Sequence, residues 1–182
     1  MLKWLKGKFS PHRSCFWGLD IFRAADGTLY LFPSVFARNG GPVYTLPEPT
    51  TLAPPYDQDA VGHTILALCE KWKDAGPLDG PPTEMFWKAV PGCRSYRSFQ
   101  RGHQLIGAHV EGQKLSLRYE PRREDGGYDP MKEDVELCAS FDVTSAQLAP
   151  RIGRSVRQIF RLAEVLDPLP PANPEADKAK SE

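Results

Sequence analysis

Apolar and polar positions alternate with a period of two over several short stretches of the chain and follow a helical period over two longer ones. Trp17, Leu19 and Ile21 alternate with Gly18 and Asp20, and Asp26-Gly27 separates them from Leu29-Tyr30-Leu31-Phe32. An Asp-Gly pair between two such runs predicts a β-hairpin, because its tight turn needs residues that tolerate positive φ. Pro33 brings no amide donor and is expected to end central pairing soon afterwards. Residues 105–110 turn through Glu111-Gly112 into a run where Leu115, Leu117 and Tyr119 share a face opposite Lys114, Ser116 and Arg118. Val135, Leu137, Ala139 and Phe141 alternate in the same way. Each such strand buries one face and leaves the other wet, as antiparallel sheets do.

The helical stripes are Val61, Ile65, Leu68, Cys69 and Trp72 over 58–74, and Ile152, Val156, Ile159, Phe160 and Ala163 over 144–166. Asp57 or Asp59 can cap the first helix and Gly76-Pro77 stops it. Thr144-Ser145-Ala146-Gln147 has capping-box form at the start of the second, and Pro150 is expected to offset or kink its first turn. Arg151, Arg154, Arg157 and Arg161 lie opposite that helix's apolar stripe, on what reads as its water side. Between the helices, 83–90 and 93–99 read as short helical turns on either side of Pro91-Gly92. The Gly- and Pro-rich residues 39–56 read as a long, stiff surface loop. The expectation is therefore one α+β domain over 15–166, preceded by an extension at 1–14 and followed by a disordered, Pro-rich, charged tail at 167–182. Its core would be a mainly antiparallel sheet of about five strands, packed by two longer helices and short helical turns.

Composition leaves that picture intact and narrows the function. The chain has 182 residues, 41% hydrophobic and 25% charged, enough for one domain with a real core. Lys+Arg and Asp+Glu both number 23, a balance that argues against a dedicated nucleic-acid binder. Cys15, Cys69, Cys93 and Cys138 are scattered with no CxxC pair, and read as reduced thiols of a cytoplasmic protein. Residues 1–6 are basic and apolar but no long apolar stretch follows, so they fail as an export signal; they read as a weak amphipathic membrane anchor or as Trp4 and Leu5 packing on the domain. No segment approaches the roughly 18 apolar residues of a membrane span.

The search for chemistry is mostly negative. There is no G-x-S-x-G, no P-loop and no dinucleotide glycine fingerprint. His103 and His109 can face one way along a strand, but no further ligand stands at zinc-like spacing, and His63 reads as structural. The expectation is no catalytic residue, no metal and no cofactor. The remaining feature is acidic: Glu120, Glu124, Asp125, Asp129, Glu133, Asp134 and Glu136 against Arg122, Arg123 and Lys132 leave a formal charge of −4 across residues 120–136. Three readings stay open for it. A metal-dependent nuclease or hydrolase could use these carboxylates with a nearby lysine, although a Gly-rich connection builds a poor first coordination shell. An adaptor protein could carry them as a solvated loop. A recognition surface could use Glu120, Glu124, Asp125, Asp129, Glu133 and Asp134 to attract a basic partner, with Tyr128 as an aromatic anchor among the charges.

A segment before the first strand of the 105–119 pair, Arg94-Ser95-Tyr96-Arg97-Ser98-Phe99, has the order basic-Ser-aromatic-basic-x-Phe. With the preceding capped helix, the strand pair, the Gly126-Gly127-Tyr128 loop, a strand and a final helix, it resembles the immunity proteins of bacterial contact-dependent growth inhibition systems. Leu31-Phe32-Pro33 followed by Gly40-Gly41 is similar to that family's N-terminal part. The resemblance implies a cytoplasmic protein that binds and neutralises, by stoichiometric occlusion, the toxic C-terminal domain of a large exported effector, commonly a nuclease. It implies no contact with nucleic acid or membrane. Tyr96 and Phe99 read as anchors beneath the sheet, with Arg94, Arg97 and Arg101 pointing away.

Overall fold

The computed structural model describes residues 16–38, 41–124, 126–128, 137–145 and 147–170. The Asp-Gly hairpin forms as expected, with β1 (Phe16–Ala24) antiparallel to β2 (Leu29–Phe36). Two short strands, β3 (Val43–Thr45) and β4 (Thr50–Leu52), then pair with β2 on its other side. After α1 (Gln58–Trp72), a 3₁₀ turn (Phe86–Ala89) and α2 (Tyr96–Gly102), the chain enters β5 (His103–Glu111) and β6 (Lys114–Glu120). It ends in β7 (Cys138–Asp142) and α3 (Leu148–Leu166). The sheet runs β3-β2-β1-β5-β6-β7 with β4 beside β2, seven strands, all antiparallel.

The α+β class and antiparallel sheet are as the periodicity predicts, but the strand count is higher than about five. The described part of 39–56, from residue 41 on, is not structureless: β3 and β4 act as one interrupted edge strand, with Pro47 and Pro49 in the interruption. The same gap accommodates Pro33. β4 pairs with β2 as far as Leu31 and β3 resumes at Ser34, so Pro33 falls where no edge partner needs its amide, while its carbonyl accepts from Leu46 N (2.8 Å). The strand therefore runs three residues past the proline and ends at Phe36.

α3 begins at Leu148 and not at Thr144. The Thr144 amide and hydroxyl both donate to Asp142 Oδ1 (2.9 and 2.7 Å), which holds Thr144 in a turn and removes it from the cap position. Gln147 is the cap residue, at φ 56 and without a side-chain cap bond, and Pro150 sits in the first turn, where its missing amide would have no intrahelical partner. At the other helix, Asp57 Oδ1 accepts from Ala60 N (2.6 Å), the cap its position predicts.

Both helices lie on one face of the sheet. Leu19, Ile21, Leu31, Ile106, Leu117 and Tyr119 meet Val61, Ile65, Ile152, Val156 and Phe160 there. The helices approach closely through two glycines. A Cβ added at Gly62 would run into the Ala149 carbonyl, and one at Gly153 into the Gln58 carbonyl. The opposite face is covered over one half by a second, aromatic cluster of Phe22, Phe32, Val90, Phe99 and Leu105, roofed by the 3₁₀ turn and α2. Phe99 packs edge-on to Phe22 (4.8 Å) and stacks on His103 (4.3 Å). Among the described residues, no helix is long and apolar enough to cross a membrane.

The motif before β5 takes its shape from this packing. Ser95 caps α2: its Oγ accepts from Ser98 N, and Ser98 Oγ accepts from Ser95 N (both 3.1 Å). Tyr96 and Phe99, three apart, then point into the aromatic cluster, while Arg94, Arg97 and Arg101 remain exposed.

Candidate functional site

The uncovered half of the second sheet face carries the least conventional chemistry among the described residues. Along β1, β5 and β6, the positions opposite the helical core include Asp20, Gly107, His109, Arg118 and Glu120. Asp20 accepts from Ser34 Oγ and Thr45 Oγ1, both at 2.6 Å. Burial pushes its carboxyl above the ordinary 3.8 against those two hydroxyls, which favour the charged form; Glu120 adds to the rise and His109 opposes it. His109 Nε2 lies 3.8 Å from Glu120 Oε1, and its Nδ1 is buried without a hydrogen-bond partner. Gly107 makes this pairing possible, since a Cβ there would stand 2.7 Å from His109 Nε2 and crowd Glu120 as well.

An aromatic strip continues the polar one. The His109 ring lies 4.8 Å from Trp17, and Trp17 meets Phe36 edge-on at 5.0 Å. Trp17 remains 39% exposed, while its neighbours in sequence on both sides are buried. Phe36, Trp17, His109 and Glu120 thus form one continuous surface, with a half-buried carboxylate alongside.

Glu120 is also where β6 enters the acidic segment, and a clasp sets the path from there. Arg122 Nε donates to both Asp167 oxygens (2.8 and 2.9 Å), Nη1 to Arg101 O (2.6 Å) and Nη2 to Pro168 O (2.8 Å), while Tyr119 OH donates to Asp167 Oδ2 (2.7 Å). Burial pushes the Asp167 carboxyl up, but the Arg122 guanidinium, the Tyr119 hydroxyl and the Arg122 amide outweigh it and hold the carboxyl below its ordinary value. Asp167, expected at the start of a loose tail, is therefore fixed to the domain; residues 171–182, the rest of that expected tail, lie outside the described residues, as does the 1–14 extension.

Of the recognition residues expected in the acidic segment, Glu120, Glu124 and Tyr128 are described, and their side chains go separate ways. Glu120 faces the open sheet, and Glu124 is exposed. Tyr128 turns inward: its hydroxyl donates to His103 O (3.1 Å), its ring meets Phe22 at 5.7 Å, and burial pushes its pKa up. It anchors the end of the segment in the aromatic cluster, helped by Gln100, whose Nε2 donates to Arg123 O (3.1 Å) and Gly127 O (2.5 Å). Asp125, Asp129, Glu133, Asp134 and Glu136 lie outside the described residues. Trp17, Asp20 and Phe36 were not among the sequence candidates, although an acid within an otherwise apolar strand is a readable signal.

Other chemically able groups are held in structural contacts. His103 Nδ1 donates to Phe99 O (2.7 Å) and burial lowers its pKa; Cys69 is buried and its thiol is pushed up to about 12. Cys69, Cys93 and Cys138 are all free. Among the described residues, no three His, Cys, Asp or Glu side chains come together to hold a metal ion.

No family model matches the chain, and no curated protein matches it in sequence. Solved structures do match its fold. A protein of unknown function, NMB0488 from Neisseria meningitidis, superposes with a TM-score of 0.57 at 12% identity, over 85% of this chain and 99% of that one. A chain of the CdiA-CT/CdiI toxin and immunity complex from Yersinia pseudotuberculosis superposes with a TM-score of 0.51 at 9% identity, over 80% of this chain and 95% of that one. At these identities the likeness is one of fold.

Proposed function

We propose that this protein is a cytoplasmic immunity protein of a contact-dependent growth inhibition system, binding a cognate toxin domain and neutralising it by occlusion. The observation that carries the reading is the fold shared with a chain of a toxin and immunity complex across 95% of that chain's length. The basic-Ser-aromatic-basic-x-Phe segment, which builds α2, supports it from the sequence. Occlusion asks for surface complementarity and no bond-making on the inhibitor.

The docking surface of this reading is the acidic segment from Glu120 to Glu124 and onward, together with the open sheet half beside it. Trp17 supplies an exposed, rigid aromatic of the kind that dominates interface energies, and Glu120 and the acidic segment supply a field that draws in a basic partner. A lysine or arginine of the toxin can lie over the Trp17 ring while its charge faces Glu120. Nuclease toxins present basic surfaces of this sort, because they must hold phosphate.

Co-expression with the toxin domain encoded immediately upstream tests the proposal. Rescue of growth and a one-to-one complex on size exclusion are expected. Reversing Glu124, Asp125 and Glu133 to Lys should slow association and weaken its salt dependence, since steering acts through the screened field. Absence of both rescue and complex at micromolar concentration rejects the function, and unchanged association kinetics in the triple reversal remove the acidic segment from the interface.

A further inference from the structure

On the helical side, α3 carries Arg154, Arg157 and Arg161, all exposed and none with an ion-pair partner among the described residues. The water side of a helix explains exposed arginines, but these line a groove. One cavity of about 620 Å³ lies between the start of α1 and the middle of α3, and another of about 550 Å³ adjoins it; Arg157 and Arg161 border both. The larger cavity also receives Arg23 from β1, a different element. Its guanidinium lies over the Phe160 ring at 5.1 Å and donates through Nη2 to Glu164, while its Nε is buried with no partner.

We propose that this groove binds a phosphorylated small molecule of nucleotide size. Three guanidinium groups line it against two carboxylates, and both carboxylates are already engaged: Asp57 caps α1 and Glu164 holds Arg23. Arg157 and Arg161, four residues apart on one helical face, are like charges that repel each other. A phosphate dianion relieves that repulsion and has enough oxygens to accept from both guanidinium forks, whereas a single carboxylate satisfies one fork. The volume exceeds what a phosphate fills and falls in the range of small-molecule sites. Leu29, Val61 and Phe160 give the groove an apolar floor, and Tyr56, tied by its hydroxyl to Gly27 O (2.7 Å), offers a ring at the rim for a flat organic body.

The site is separate from the acidic segment and does not rest on the toxin reading. The test is calorimetric titration of the full chain with AMP, inorganic phosphate and a Glu-rich peptide at matched ionic strength. AMP should bind more tightly than phosphate, and the double variant Arg157→Gln, Arg161→Gln should weaken AMP roughly tenfold, the scale of one lost charge-assisted contact. If that pair lowers the melting temperature, Arg157→Lys, Arg161→Lys is read in its place; charge is kept and the fork lost, and AMP should still weaken several-fold. Competition by a 5′-phosphorylated oligonucleotide would identify the source as a nucleic-acid end, and its failure to compete a free nucleotide, both within the assignment. No AMP binding at millimolar concentration, equal binding by the variants, or tighter binding of the Glu-rich peptide overturns it. The Gln pair should still rescue growth in co-expression, so failure here and failure of the toxin reading are distinguishable.

Discussion

The two faces of the sheet are built to different standards. The face under α1 and α3 is largely aliphatic and continuous, closed by helices that touch backbone to backbone at Gly62 and Gly153. The other face is closed over one half by stacked aromatics and left open over the rest, where it keeps a carboxylate with a raised pKa, a histidine nitrogen without a partner and an exposed tryptophan. Each feature of the open half costs stability, whereas the middle of the helix-covered face, at Leu19, Ile21, Leu31 and Ile106, is packed without them, and Arg23 Nε is buried with no partner at that face's end. Local departures of this kind concentrate where a protein meets its partners.

The sharpest test of the closed face is its glycine seam. Gly153→Ala forces a methyl into the Gln58 carbonyl with no flexible side chain to yield, so the helices must separate, at a cost of about 3 kcal/mol or more. Gly80→Ala, where a Cβ meets nothing within 4 Å, serves as the control and should change stability by no more than about 0.5 kcal/mol. Urea unfolding of the two variants reads the difference. Equal midpoints would mean that the close approach is not what sets the helix pair.

The closed face was also the more legible in the sequence. Its stripes depend on periods of two and 3.6, which are local, and Ile65, Ile152 and Phe160 are buried where those periods put them. The second face was partly announced by breaks in alternation: Ile21-Phe22, Leu31-Phe32 and Leu105-Ile106 place apolar residues on both sides of a strand, which means both sides are covered there. What could not be read was non-local. β3 and β4 exist because β2 offers an edge on either side of Pro33. Asp20 is held half-buried by hydroxyls of Ser34 and Thr45 that arrive from two other strands, and Arg122 meets a carboxylate 45 residues away. The start of α3 failed for a different reason. Asp142 takes the Thr144 amide that a capping box would give to the Gln147 side chain, and a capping pattern says nothing of rival acceptors nearby.

The two half-buried carboxylates should respond to acid in opposite directions. Asp167 titrates below its ordinary value in the folded chain, so its stabilisation is present above pH 3.8 and is lost as pH falls through the folded value. Arg122→Ala removes the guanidinium that sustains it, and should cost about 2 kcal/mol near neutrality while flattening this acid limb. Asp20 titrates above 3.8 in the folded chain, so its ionisation opposes folding, and its contribution worsens as pH rises from 3.8 through the folded value. Asp20→Asn should therefore gain on the wild type by about 1 kcal/mol between acid and neutral pH. Unfolding midpoints across that range give both slopes, and slopes of the same sign would remove the distinction between a carboxylate fixed for stability and one kept at its expense.

The smallest effect on folding should come from the open half itself. Trp17→Ala removes a ring that is 39% exposed and packs against Phe36 and His109, so it should cost no more than about 1 kcal/mol of stability. If the surface is the docking face, the same substitution should weaken toxin binding by about 2 kcal/mol, the scale of an interface anchor, mostly through faster dissociation. Phe99→Ala, on the covered half, should do the reverse in kind, costing about 3 kcal/mol of folding with the dissociation rate of the folded fraction unchanged. Measuring both quantities for both variants separates packing from recognition on one sheet face. A Trp17→Ala variant that loses stability as Phe99→Ala does, yet binds as the wild type does, would make the open half an unfinished core.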